Sequence, residues 1–235
     1  KNPMVIFQDC DFDLAIDTVV RGAFLNQGQI CLCGSRVFIE RGIYAKFRSA
    51  MLKKTKSLRV GNPANPASNL GAIVSKKHLK SILLKIERSK KNGGKVLFGG
   101  ERIILSGDIE SGYYMSPCII ENTNNNDSIN QEEVFGPVVT IMPFDNEKEV
   151  VKMCNHTRYG LSASIFSKNI SKAHRVAANI NAGVIWINTW LLRDLRIPFG
   201  GMKESGLGRE GGYNSLDFFT ETKNVCVKIE SGENK

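Results

Sequence analysis

Apolar and polar positions alternate along the chain in two periods, and the switches between them divide it into strands and helices. Residues 4–7, Met-Val-Ile-Phe, form a short continuous apolar run of the kind that fills a buried strand. Asp13 then stands where a helix N-cap belongs. Ile16, Val19, Val20, Ala23 and Phe24 recur at helical spacing behind it, a core-facing stripe that ends close to Asn26 and Gly28. Residues 36–40 read as a strand, Tyr44, Phe47 and Met51 mark the next helix, and residues 61–66 are a turn-rich loop. Ser75 caps a helix whose apolar face is Leu79, Ile82, Leu83 and Ile86, and Gly93-Gly94 closes it ahead of a strand at 95–98.

The second half repeats the alternation. Residues 121–130 read as an exposed loop whose asparagines are simply solvated, and residues 138–142 as a strongly apolar strand. Val150, Val151 and Cys154 make a helical face. Residues 162–166 are a strand, Ala173, Val176, Ala177 and Ile180 a helix, and residues 184–187 another strand. Strand and helix in turn predict an α/β fold with a largely parallel sheet flanked by helices. No internal repeat appears, and no linker divides the chain before about residue 207, so residues 1–207 are read as one domain and 208–235 as a tail. The glycine-dense stretch 198–212 suits backbone held close to another surface. Residues 222–229 alternate like a strand that needs an edge to pair with, in another subunit or in further sequence.

Composition adds exclusions. With 235 residues, 42% of them hydrophobic, the chain can bury a sizeable core. No run approaches the roughly 18 to 20 apolar residues of a membrane span, and there is no secretory signal peptide, so no membrane partner is expected. The net charge of +9 raises a nucleic-acid reading. The lysines, however, fall in groups on the polar sides of helical patterns, without aromatic-rich sheet motifs, zinc spacing or a recognition helix, so no nucleic-acid partner is expected either. Six cysteines, at 10, 31, 33, 118, 154 and 226, have neither metal-ligand spacing nor the density of a disulfide scaffold, which suits a reducing cytoplasm and no bound metal.

The chemistry concentrates at residues 24–36, Phe-Leu-Asn-Gln-Gly-Gln-Ile-Cys-Leu-Cys-Gly-Ser-Arg, where Cys31 follows a glycine turn among amides. A lone loop cysteine is more often structural than reactive. Three further stretches change that weighting: Lys1-Asn2-Pro3, Glu132-Glu133-Val134-Phe135-Gly136-Pro137-Val138, and Pro198-Phe199-Gly200-Gly201-Met202-Lys203 with Ser205-Gly206. In this order and at these separations the chain resembles the NAD(P)-dependent aldehyde dehydrogenases over essentially its whole length. The resemblance implies the catalytic domain of that fold with a C-terminal strand arm. It makes Cys31 the nucleophile: a thiolate adds to the aldehyde carbonyl, the thiohemiacetal loses hydride to nicotinamide, and the resulting thioester is hydrolysed. The Cys31 backbone N–H would be an oxyanion donor. Cys33 is a bystander, with a lesser chance of a protective disulfide to Cys31.

By the same resemblance Glu133 accepts hydrogen bonds from the nicotinamide ribose and Phe135 packs near the nicotinamide ring, while Glu132 is a surface charge. His78 falls where some members add a ribose contact, though an ordinary solvent-facing histidine is the favoured reading. The stretch Trp190-Leu191-Leu192-Arg193-Asp194-Leu195-Arg196, with Ile30-Cys31-Leu32-Cys33 and Asp217-Phe218-Phe219-Thr220-Glu221, looks most like the 2-aminomuconic semialdehyde dehydrogenase subgroup, which belongs to the kynurenine pathway. There an arginine at the position of Arg193 grips the distal carboxylate of the substrate, a task that suits a forked guanidinium. The bland reading gives Arg193 an ion pair with Asp194 or elsewhere. Arg196 is the weaker substrate candidate, and Phe199 would line the aldehyde tunnel.

The family's Glu-Leu-Gly-Gly stretch, which carries the general base, would lie directly before Lys1. Also outside the chain are the cofactor domain, the second oxyanion donor, a second substrate arginine and the hairpin that pairs with the C-terminal strand. The resemblance therefore implies a catalytic domain and tail without the N-terminal cofactor domain, inactive alone and binding NAD weakly or not at all. It further implies a small aldehyde as substrate, NAD as cofactor with NADP left open, and a homo-oligomer, dimer or tetramer. Two other readings stand beside it: a dehydrogenase for an uncharged or cationic aldehyde, and an inactive fragment with a structural or binding role.

Overall fold

The computed structural model describes residues 1–229. Its centre is a seven-stranded sheet whose spatial order is β10-β9-β1-β2-β7-β6-β3. In chain order these strands are β1 (Asn2–Ile6), β2 (Gly34–Glu40), β3 (Lys95–Phe98), β6 (Cys118–Glu121), β7 (Val138–Phe144), β9 (Ser162–Phe166) and β10 (Val184–Ile187). Four short strands, β4 (Arg102–Ile103), β5 (Tyr114–Met115), β8 (Tyr159–Gly160) and β11 (Met202–Lys203), pair outside it, β4 with β5 and β8 with β11. Every neighbour pair in the large sheet is parallel except β3 with β6, so the expected parallel α/β architecture holds with one antiparallel edge.

The helices are α1 (Phe12–Phe24), α2 (Tyr44–Lys56), α3 (Lys76–Lys91), α4 (Ser128–Gln131), α5 (Glu147–Asn155), α6 (Ile170–Asn179) and α7 (Tyr213–Phe219). Because successive strand residues point to opposite faces, each central strand feeds two cores. Met4, Ile6, Val37, Ile39, Val139 and Ile141 pack with α1 and α2 on one side. Val5, Phe7, Phe38, Met142 and Phe144 pack with α5 and α6 on the other. This double burial is why β1 reads as an unbroken apolar run. Helix α1 buries the expected stripe but begins earlier than expected: Asp11, not Asp13, is its cap, accepting from the Leu14 N–H at 3.2 Å. Asp13 lies inside the first turn, where an acid favours the helix dipole instead.

The segment 121–130 is not the solvated loop that its asparagines suggest. Asn130 is fully buried, donating to Thr123 Oγ1 and the Asn124 carbonyl and accepting from Thr140 Oγ1. Asn125 Oδ1 accepts from Arg36, itself fully buried in β2. The Arg36 guanidinium also donates to the carbonyls of Lys1, Met153 and Cys154, the last two in the final turn of α5. Lys203 Nζ joins from β11, donating to the carbonyls of Asn155 and Thr157. Carbonyl dipoles at a helix C-terminus, rather than a carboxylate, hold both cations, and burial pulls the Arg36 guanidinium down to about 10. Among the described residues, 220–229 carry no hydrogen-bonded strand, so the strand expected at 222–229 finds no partner there, and Val225, Val227 and Ile229 are exposed.

Candidate active site

Helix α1 runs into a turn, Leu25–Gly28, in which Asn26, Gln27 and Gly28 all take left-handed backbone angles, with φ of 51°, 56° and 66°. Only glycine adopts this region cheaply, and the two amides hold it with side-chain bonds. Asn26 Nδ2 donates to the Gln29 carbonyl, and Gln29 Oε1 accepts from the Val74 N–H. The reversed turn throws Cys31 outward: it is exposed, whereas Leu32, Cys33 and Gly34 are buried on the way into β2. The loop is tied to the sheet by Asn2, a buried residue of β1. Its Nδ2 donates to the Cys31 carbonyl at 2.7 Å and the Cys33 carbonyl at 2.9 Å, and its Oδ1 accepts from the Ser162 N–H of β9.

A shallow cleft opens at this loop, lined among others by Lys1, Asn2, Gly28, Cys31, Ser35, Glu133 and Phe135. Two stretches a hundred residues apart in sequence thus meet. They touch tightly, since a Cβ on Gly28 would lie 2.2 Å from the Gly136 carbonyl oxygen. Glu133 and Phe135 are exposed at the cleft, and Phe135 is itself left-handed with φ 54°. Glu132 beside them pairs with Lys85 and Arg88, the surface role expected of it. His78, half-buried, also meets the cleft wall: its Nε2 sits 2.6 Å from the Phe135 carbonyl oxygen. Lys1 lines the cleft too, and burial pushes its ammonium down to about 7.

The cysteines separate by environment. Burial pushes the Cys33, Cys118 and Cys154 thiols up to about 12 and Cys10 up to about 11, leaving them protonated and inert at neutral pH. Cys31 and Cys226 are the exposed thiols; Cys31 lines this cleft, with the buried Cys33 behind it, and Cys226 does not. All six are free.

Arg193 and Phe199 do not line the Cys31 cleft. They stack on each other, the Arg193 guanidinium 4.4 Å from the Phe199 ring centroid. Arg193 reaches Glu210 only at 3.9 Å, while Asp194 is taken by Arg196 in a two-pronged pair. Phe199 pairs through its backbone with Glu210 and borders a separate cavity of about 600 Å³ formed with the glycine-rich stretch, Phe218 and Phe219. The two neighbourhoods are joined by Trp190, buried, whose Nε1 donates to the Leu32 carbonyl at 2.9 Å. The loop carrying Arg193 therefore hangs from the residue next to Cys31. The tethers Asn2 and Trp190 escaped the sequence reading. The one signal for Asn2 was an amide set just before Pro3 at the start of an apolar strand.

The comparisons agree with this geometry. The model of the aldehyde dehydrogenase family matches residues 1–225. The 2-aminomuconic semialdehyde dehydrogenase of Danio rerio is 45% identical over 230 residues, 97% of this chain and 47% of the relative. The 4-trimethylaminobutyraldehyde dehydrogenase of Oryzias latipes is 40% identical over 100% of this chain and 46% of its own length. Among solved structures, betaine aldehyde dehydrogenase from Staphylococcus aureus, in complex with NAD+, superposes with a TM-score of 0.89 at 37% identity, covering 93% of this chain and 43% of that one. The chain thus spans about half the length of the curated relatives it matches. A family match across nearly the whole chain, on a fold that superposes this closely, leaves one assignment: the chain belongs to the aldehyde dehydrogenase family.

Proposed function

We propose that the protein carrying this chain oxidises an aldehyde to the acid with NAD, NADP being the other dinucleotide open to it, and that Cys31 is the nucleophile. The observation that carries this reading is the shared cleft: the one exposed thiol of the domain body faces Glu133 and Phe135 across a space that glycine backbones bring to close contact. The residues present suit a nicotinamide riboside. Glu133 offers a carboxylate that, among the described residues, makes no ion pair, and Phe135 an exposed ring beside it. When bound, the dinucleotide supplies the hydride acceptor.

Cys31 Sγ attacks the carbonyl carbon, and the oxygen that gains charge needs a donor. Among the described residues the Cys31 N–H has no protein acceptor, which leaves it free for that task. Asn2 fixes the carbonyls of Cys31 and of Cys33 and so holds the backbone that leads from the nucleophile into the sheet. For the substrate we read a semialdehyde bearing a carboxylate. Asp194 is spent on Arg196 and Glu210 meets Arg193 only at 3.9 Å, a loose pair that a substrate carboxylate can replace on a guanidinium pre-oriented on the face of Phe199. A cationic aldehyde would meet that charge unfavourably. We read residues 1–207 as the catalytic domain and 208–235 as a tail whose extended, exposed segment serves as the oligomerisation strand of a homodimer or tetramer. Six free thiols suit a reducing cytoplasm.

Two measurements test the proposal. Iodoacetamide near neutral pH alkylates Cys31 faster than Cys226, the other exposed thiol; equal rates mean no activated nucleophile. In the full polypeptide, Arg193→Ala lowers turnover of a carboxylated aldehyde far more than of an uncharged one of like size, and equal losses remove the carboxylate clasp.

A further inference from the structure

One face of α3 is spent on the cleft wall, and its residues sit at helical spacing i, i+4, i+7. His78 Nε2 lies 2.6 Å from the Phe135 carbonyl oxygen. A carbonyl oxygen only accepts, so the ring proton is on Nε2. Lys85 Nζ donates to the Glu133 carbonyl at 2.7 Å. Between them Ile82 fills the space over Gly136, where a Cβ would lie 2.5 Å from Ile82 Cδ1. The register of the helix is fixed at its start, because Ser75 Oγ accepts from the His78 N–H.

These contacts grip a segment that would not hold its shape alone. Phe135 is a bulky residue at φ 54°, a conformation that costs on the order of 1–2 kcal/mol without support. Its carbonyl is pinned by His78, and the next residue is wedged between Ile82 and Gly28. We propose that His78 and Lys85 are positioning residues: they hold the backbone of residues 133–136 in the shape that aims the Glu133 carboxylate and the Phe135 ring at a dinucleotide beside Cys31. The claim rests on the NAD reading above. It gives His78 a role through the Phe135 backbone instead of on the ribose itself.

The test has two arms. Hydrogen–deuterium exchange of residues 132–138 is compared among the wild type, His78→Phe, which keeps a ring without the donor, His78→Gln, whose Nε2 lies the same number of bonds from Cα, and Lys85→Met. Isothermal titration and steady-state kinetics of the full polypeptide then measure NAD. Loss of one hydrogen bond of ordinary net strength corresponds to a roughly two- to tenfold weaker affinity. We expect faster exchange at 135–138 in His78→Phe and at 132–134 in Lys85→Met. The NAD KM should rise about two- to tenfold in both with kcat nearly unchanged, and His78→Gln should recover both readouts. Wild-type exchange in His78→Phe and Lys85→Met, or a His78→Gln variant as impaired as His78→Phe, overturns the proposal. If the wild type binds no NAD, the functional reading falls while the exchange arm still decides the clamp.

Discussion

Asn2 is the smallest change with the largest expected consequence at the Cys31 loop. Replacing it by Ala removes three hydrogen bonds at once: two donated to the Cys31 and Cys33 carbonyls and one accepted from the Ser162 N–H. The Cys33 and Ser162 groups are buried, and each peptide group left unpaired there costs about 1–3 kcal/mol, while the half-wet Cys31 carbonyl loses about 1 kcal/mol. The sum is about 4 kcal/mol, a large part of the roughly 5–15 kcal/mol that folds a domain. With a urea m-value of about 3 kcal/mol/M, the midpoint falls by about 1.3 M. Circular dichroism during urea titration reads this, and Cys33 should become open to iodoacetamide as the loop loosens. Asn2→Asp turns the donor into an oxygen facing two carbonyl oxygens. Its folded-state pKa is therefore raised, the native state binds the extra proton, and stability falls as pH rises from about 4. A midpoint for Asn2→Ala within about 0.3 M of wild type would refute the tether.

Gly28→Ala places a methyl 2.2 Å from the Gly136 oxygen, backbone against backbone, at φ 66°, and strain plus overpacking total about 3–4 kcal/mol. It should lower the melting temperature by about 10 °C, at about 2–4 °C per kcal/mol for a domain of this size, and slow Cys31 alkylation. The buried thiols set the alkaline limit. Cys33, Cys118 and Cys154 titrate near 12 and Cys10 near 11 in the folded chain, against about 9 when exposed. The unfolded chain loses these protons first, so stability is intact below about pH 9 and falls above it by about 1.4 kcal/mol per pH unit for each thiol. Lys1, held near 7, runs the other way up to about pH 10.5 and offsets one of the four. Cooperative unfolding between about pH 10 and 11 is expected in a circular dichroism titration, and a flat profile to pH 12 contradicts the burial of these thiols.

Local pattern revealed what local contacts decide. The strands at 162–166 and 184–187 match β9 and β10 to the residue: β10 is an apolar run between Gly183 and Asn188, and β9 is a run of small and apolar residues shortly after Gly160. The stripe of α1 and the Ser75 cap of α3 were legible for the same reason. The cap of α1 was displaced from Asp13 to Asp11 because two acids in one short stretch offer two starts. The asparagines of 121–130 misled because their partners are remote: Arg36 lies 89 residues from Asn125 and 118 from Cys154. Charge spacing on α3 hid His78 and Lys85 equally well, since a helix face covered by a distant backbone segment looks like a solvated one when its acceptors are carbonyls.

This changes what the amides around Cys31 mean. In sequence, Asn26, Gln27 and Gln29 are amides crowded around a cysteine, a setting for a reactive thiol. Among the described contacts, Asn26 bonds the Gln29 carbonyl and Gln29 bonds the Val74 amide, both inside the wall of the loop. Their work is to stabilise a turn with two non-glycine residues at positive φ, each costing on the order of 1–2 kcal/mol. That strain lets a helix packed on the sheet deliver Cys31 to the surface and return within three residues to the buried start of β2. A relaxed turn would continue inward, burying the thiol as Cys33 is buried. The exposed thiol and the strained turn are thus one feature, and Asn2, Gly28 and Gln29 hold it from three sides.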